Sequence, residues 1–187
     1  MKINCWLNQN RLLSHLRTSF CALVIVGASL TLPSAEADRP QPASGGFFPC
    51  FIYTSVQYLP PGSGPDNFRT ATVTFHVTAD VTGTLTGHLE GTELDVVHHS
   101  DGSINLQGTA VFEGSINGRS GMLLFTYNGI GNAGTGQETL HFVARQGTGD
   151  LAGVHVEGTA EGDVGAPNPG CDLSATGTYT GQIVFAR

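Results

Sequence analysis

The chain has 187 residues, 12% of them charged and 40% hydrophobic, with 26 glycines and a formal net charge of −7. That length fits one domain plus a tail, and the acidic balance excludes nucleic acid as a main partner, because phosphate is held by basic surfaces. A mean hydropathy near zero with a single long apolar run excludes a polytopic membrane protein, and Val, Leu, Ile and Phe recurring throughout exclude a disordered chain.

The N-terminal segment reads as an address. Lys2, Arg11 and Arg17 form a basic start, Phe20 to Leu32 is an apolar run, and Ala35-Glu36-Ala37 offers small residues at the spacing signal peptidase accepts. As a helix the run would rise only about 20 Å, short of a hydrocarbon core of about 30 Å. Residues 1–37 are therefore expected to be a signal peptide cleaved after Ala37, giving a secreted or periplasmic protein with no membrane span in its mature form. The mature segment holds five arginines and no lysine against fourteen acidic residues, and it retains two cysteines, Cys50 and Cys171. In an exported protein such a pair is expected to form a disulfide. Closing a loop of that length is worth roughly 4–5 kcal/mol in the chain-entropy picture. A metal reading has little support, since no CxxC or HxxxH spacing accompanies either cysteine.

Residues 38–49, rich in Pro, Gly and Ser, predict an exposed arm. Cys50 to Tyr58 predicts a short strand and Leu59 to Asn67 a loop, so 38–67 is read as an N-terminal arm and loop and 68–187 as the folded domain. From Phe68 onward apolar and polar residues alternate, as in Val73, Phe75 and Val77 or Leu140, Phe142 and Ala144. Period two at this length predicts half-buried antiparallel strands. Eight are expected, at roughly 69–79, 81–90, 92–99, 103–116, 120–128, 137–146, 151–161 and 173–186. Asp101-Gly102, Asn117-Gly118, Asn128-Gly129 and Thr148-Gly149 supply turn signals. No helical stripe provides crossovers, so the sheet is expected to be antiparallel and sequential. The fold class is all-β, an eight-stranded antiparallel up-and-down β-barrel, with a β-sandwich as the alternative. Glycines on the apolar side of several runs, such as Gly87 and Gly91 beside Leu85 and Leu89, favour the tight coiling of a barrel.

Two motifs carry a family resemblance. Gly114-Ser115-Ile116-Asn117-Gly118-Arg119-Ser120-Gly121, followed by a strand ending Tyr127-Asn128-Gly129, and then Gly147-Thr148-Gly149-Asp150-Leu151-Ala152-Gly153, together resemble the bacterial DUF3224 family of unknown function. The resemblance covers roughly residues 68–187. That family is similar to the allene oxide cyclase-like and dirigent-like barrels, which implies an eight-stranded barrel with a lumen for an apolar small molecule. The chain departs from the family pattern at Ala110, where a Glu is frequent, and at Tyr127, where a His is frequent.

The chemical inventory is thin. His98-His99-Ser100-Asp101 is the densest polar cluster, but neighbouring strand residues point to opposite faces, so a hairpin tip is the simpler reading and no metal is assigned. No GxSxG elbow supports a serine nucleophile. Glu93 and Asp95 share a face, as do Glu157 and Glu161, and each pair reads first as the wet exterior of a sheet. Arg119, in its tight hairpin, is expected to pair with a carboxylate or to meet an anion at the barrel mouth. Tyr127, if it faces the lumen, can hydrogen-bond a ligand oxygen. Glu113 and His141 complete the ligand-binding candidates. No cofactor is implied, and association into an oligomer is left open.

Two functions follow from this pattern: a secreted barrel binding a small apolar or amphipathic ligand, or an isomerase or cyclase in which a Glu or Tyr polarises a small hydrophobic substrate. A packed structural barrel is the third. A cavity holding a buried Glu or Tyr favours the enzyme, a dry apolar cavity favours binding, and a filled core removes both.

Overall fold

The structure, a computed structural model, describes residues 39–59, 70–165 and 167–185. The signal-peptide reading of residues 1–37 lies outside the described residues. Eight strands follow one another: β1 (Gln41–Tyr58), β2 (Thr70–Gly83), β3 (Leu85–His98), β4 (Ser103–Ile116), β5 (Arg119–Asn132), β6 (Gln137–Gly147), β7 (Val154–Gly165) and β8 (Leu173–Phe185). Each pairs antiparallel with the next, and β1 also pairs with β8, so the sheet closes into a barrel in sequence order. Closure gives each of these strands two neighbours, so none of them stands at an edge.

Alternation dictates what lies inside. Along β2, Ala71, Val73, Phe75, Val77, Ala79 and Val81 are buried, while the intervening threonines are partly exposed. One end of the barrel is packed solid. Phe112, Ile116, Leu123, Leu151, Val154, Val156, Ile183 and Phe185 meet there. Leu151 belongs to a single 3-10 turn (Gly149–Leu151) between β6 and β7 and is fully buried. A second apolar cluster, Phe51, Val73, Phe75, Val77 and Ala175, lines the half of the barrel toward the opposite end.

Three expectations need correction. Residues 38–49 are not an exposed arm, because β1 begins at Gln41 and runs unbroken through Tyr58. It pairs with β2 from Gly45 and with β8 from Gln41, and the β8 ladder skips Phe48 and Pro49, so the missing proline N–H falls where no partner is needed. Second, the runs at 69–79, 81–90 and 92–99 form two strands rather than three, with the turn at Gly83 (φ +99°). Gly91 is not a break: it lies inside β3 opposite Ala110. Third, Asn128-Gly129 is strand interior, and β5 continues to Asn132. Asn117-Gly118 is a true two-residue hairpin, with φ of 50° and 79°.

Cys50 on β1 and Cys171 just before β8 are joined by a disulfide, with their Cα atoms 5.3 Å apart. It staples the strand that closes the barrel to the loop that feeds its partner.

Candidate functional site

Strand parity carries Leu85, Gly87, Leu89, Gly91, Glu93 and Asp95 to the same inner face of β3. Two carboxyl side chains thus sit inside the barrel, Glu93 with 4% and Asp95 with 5% of its surface exposed. Tyr127 reaches them from β5, where it pairs with Gly108 of β4. A Cβ on Gly108 would overlap the Tyr127 ring, so the glycine creates the slot in which that ring lies. Glu138 enters from β6, opposite Gly131 and Gly162, which again leave room.

Two adjoining cavities run along the barrel interior. The first, of about 100 Å³, is wholly apolar in lining and lies among Val81, Leu85, Phe125, Phe142, Ala160 and Tyr179. The second, of about 80 Å³, reaches Phe51, Val77, Ala110, Glu93 and Glu138. Phe47, Leu89, Tyr127 and Leu140 wall both. The combined space therefore has an apolar part and an acidic part that meet at Tyr127. Each volume exceeds the roughly 10–15 Å³ a single water centre needs, and both fall below the range of about 300–1,000 Å³ for drug-sized ligands. A small molecule fits this scale.

The electrostatics follow from burial. Desolvation pushes the Glu93 carboxyl well above the usual carboxylate range, and the Asp95 and Glu138 charges push it further, against a hydrogen bond donated by Tyr127. Burial raises Asp95 to about 7, opposed by a hydrogen bond from Glu93. Burial and then the Asp95 charge raise Glu138 to about 7. Tyr127 is raised too, first by burial and then by the Glu93 charge. The cluster thus holds its protons to higher pH than exposed carboxyls do. Oδ1 of Asp95 has no hydrogen-bond partner among the described residues, an unusual state for a buried oxygen. No group of three His, Cys, Asp or Glu side chains among the described residues is placed to hold a metal ion.

Of the four ligand-binding candidates named from sequence, Tyr127 is the one on the cavity wall. Glu113 is exposed on the outer face of β4, opposite His88 and Met122. His141 is exposed on β6, opposite Asn128 and Thr159. Arg119 lies at the packed end, its guanidinium carbon 4.2 Å from the centre of the Phe185 ring in a cation–π contact. The His98–Asp101 cluster forms a hairpin tip: His98 contacts Asn105 at 3.3 Å, and Asp101 accepts from the Ser103 N–H at 2.9 Å. Glu93 and Asp95, read from sequence as wet exterior, are instead the buried core of the site. The signal that finds them is parity from Leu85 and Leu89, which holds only if β3 is followed through Gly91.

Comparison with known proteins points to one family. A family model described as "Protein of unknown function (DUF3224)" matches residues 55–168. A solved structure from Shewanella oneidensis MR-1, of a protein with unknown function from the DUF3224 family, superposes with a TM-score of 0.58 at 17% identity, covering 80% of this chain and 99% of that one. At that identity the likeness shows the fold. No curated protein matches.

Proposed function

This chain belongs to the DUF3224 family, and we propose that it is an exported barrel that binds one small amphipathic ligand in its lumen, the apolar part against Phe125, Leu140 and Phe142 and the polar end at Glu93 and Tyr127. The observation that carries this reading is a wholly apolar cavity adjoining, across the shared walls Phe47, Leu89, Tyr127 and Leu140, a cavity that reaches a buried carboxyl–tyrosine pair. Ligand sites have this composition, mostly apolar with a few fixed polar groups. Export is supported by the leader pattern and by the Cys50–Cys171 disulfide, and no helix among the described residues is long and apolar enough to cross a membrane. Native mass spectrometry of the protein from its own host is expected to show a retained small molecule on a chain beginning at Asp38. Bare protein from repeated mild preparations would overturn the reading.

Catalysis is the second reading, and one observation favours it: Tyr127 donates to Glu93 where both face the cavity. Such a pair can protonate or polarise a ligand oxygen, as an isomerase or cyclase requires. Kinship with the allene oxide cyclase-like barrels belongs to this reading. Glu93→Gln separates the two, since it would abolish turnover of the retained molecule while leaving its apolar part bound.

A further inference from the structure

We propose that the polar end of the ligand is a cation, a primary ammonium or similarly small charged amine, seated among Glu93, Asp95, Glu138 and Tyr127. The inference rests on the lumen-binding reading above and names the chemistry of its polar subsite.

Four strands meet at the subsite, and their inward charged or titratable groups are all acidic. β3 contributes Glu93 and Asp95, β5 contributes Tyr127 and β6 contributes Glu138. Tyr53 of β1 stands at the edge, near Asp95 and Asp172. The inward residues of β2 and β4 beside them, Val73, Phe75, Leu106 and Ala110, are uncharged. Three carboxyls and a phenol in one interior are unfavourable unless protons or a cation accompany them. Burial holds protons on these carboxyls to higher pH than in water. The unpartnered Asp95 Oδ1 is an acceptor left over after that arrangement.

An ammonium group brings three N–H donors and one positive charge, which suit the Glu93 and Glu138 carboxyls and the Tyr127 hydroxyl on the cavity wall. Phe47 and Tyr127 also wall the acidic cavity, so aromatic rings stand beside the cation. A metal ion does not satisfy the site, because its donors are not placed around one point among the described residues. A fatty acid would place a fourth carboxyl among three. A neutral acceptor such as an alcohol or ketone would use the protonated acids as donors, and its pH dependence has the opposite sign.

That sign makes the test decisive. An alkylamine, with an ordinary value of about 10, is charged throughout the working range. It displaces protons from carboxyls whose values are near 7, so its affinity falls as pH falls. A neutral acceptor needs those protons and binds better as pH falls. Isothermal titration calorimetry of the purified protein with n-hexylamine, n-hexanol and n-hexanoate, at about pH 8 and about pH 5.5, reads this directly. The expected result is amine binding at least about 10-fold tighter than alcohol or carboxylate at the higher pH, weakening at least about 10-fold at the lower, with net proton release seen as a buffer-dependent heat. Glu138→Gln and Asp95→Asn should each weaken amine binding at about pH 8 several-fold and reduce its change between the two pH values. Alcohol binding as tight as amine binding, or amine affinity that rises at low pH, overturns the cation while leaving the lumen reading intact. Failure of all three probes overturns the cation as well, and the lumen reading is then judged separately by the retained mass in native spectrometry.

Discussion

Tyr127 and Gly108 show how one pair of residues shapes the site. The ring lies flat across the glycine on the neighbouring strand, where any Cβ would overlap it. Gly177 does the same for Phe47, whose ring walls both cavities. Small residues opposite large ones let a narrow barrel hold aromatic rings and still keep space beside them. Gly108→Ala is therefore expected to destabilise the fold by about 1–3 kcal/mol through overpacking and to push Tyr127 off Glu93. Urea denaturation checks the first effect, and loss of the Tyr127 hydroxyl shift on titration checks the second. The residue scale is also where sequence reading failed. The inward glycines were legible, but Gly91 looked like a strand end, and breaking β3 there detached Glu93 and Asp95 from the parity of Leu85 and Leu89. A one-residue uncertainty of register inverts every side chain, and a glycine gives no side chain by which to count.

Among the elements, β1 decides whether a barrel exists. Composition hid it, because Pro42, Gly45, Gly46 and Pro49 are turn and loop residues by frequency. Two of them have a local reason here. Gly45 lies where a Cβ would strike the Thr82 carbonyl and the Tyr179 ring, and Pro49 falls in the gap of the β8 ladder. From β4 onward every strand was legible, apart from the end of β5, because Thr, Val, Leu and Phe alternate there over long runs. The family match begins at residue 55 and so leaves out most of β1. Deleting residues 39–54 is expected to open the sheet between β2 and β8 and to yield aggregated or unfolded protein by size exclusion and far-ultraviolet circular dichroism. A soluble monomer with unchanged dispersion in its amide spectrum would show that seven strands suffice. The disulfide acts on the same closure. Replacing Cys50 and Cys171 with serine should cost about 2–4 kcal/mol in urea titration while leaving the barrel intact, since β1 remains laddered on both sides.

At the scale of the whole molecule, the buried acids make stability depend on pH in a direction opposite to the common one. Asp95 rises from an ordinary 3.8 to about 7, and Glu138 from 4.5 to about 7, both by burial first. A carboxyl whose folded value is raised binds its proton more tightly in the folded state. Its contribution is complete below about pH 4 and is lost as pH rises through about 7. Asp101 works the other way: the Ser103 N–H holds it below the usual range, so its contribution fades in strong acid. The thermal midpoint should therefore peak near about pH 5 and fall by several degrees toward about pH 8, with Asp95→Asn and Glu138→Gln each flattening the slope. Melting curves followed by circular dichroism across that interval measure it. A flat profile would mean that solvent reaches the carboxyls freely, and the lumen would then be an open cleft whose polar wall needs neither protons nor a bound cation.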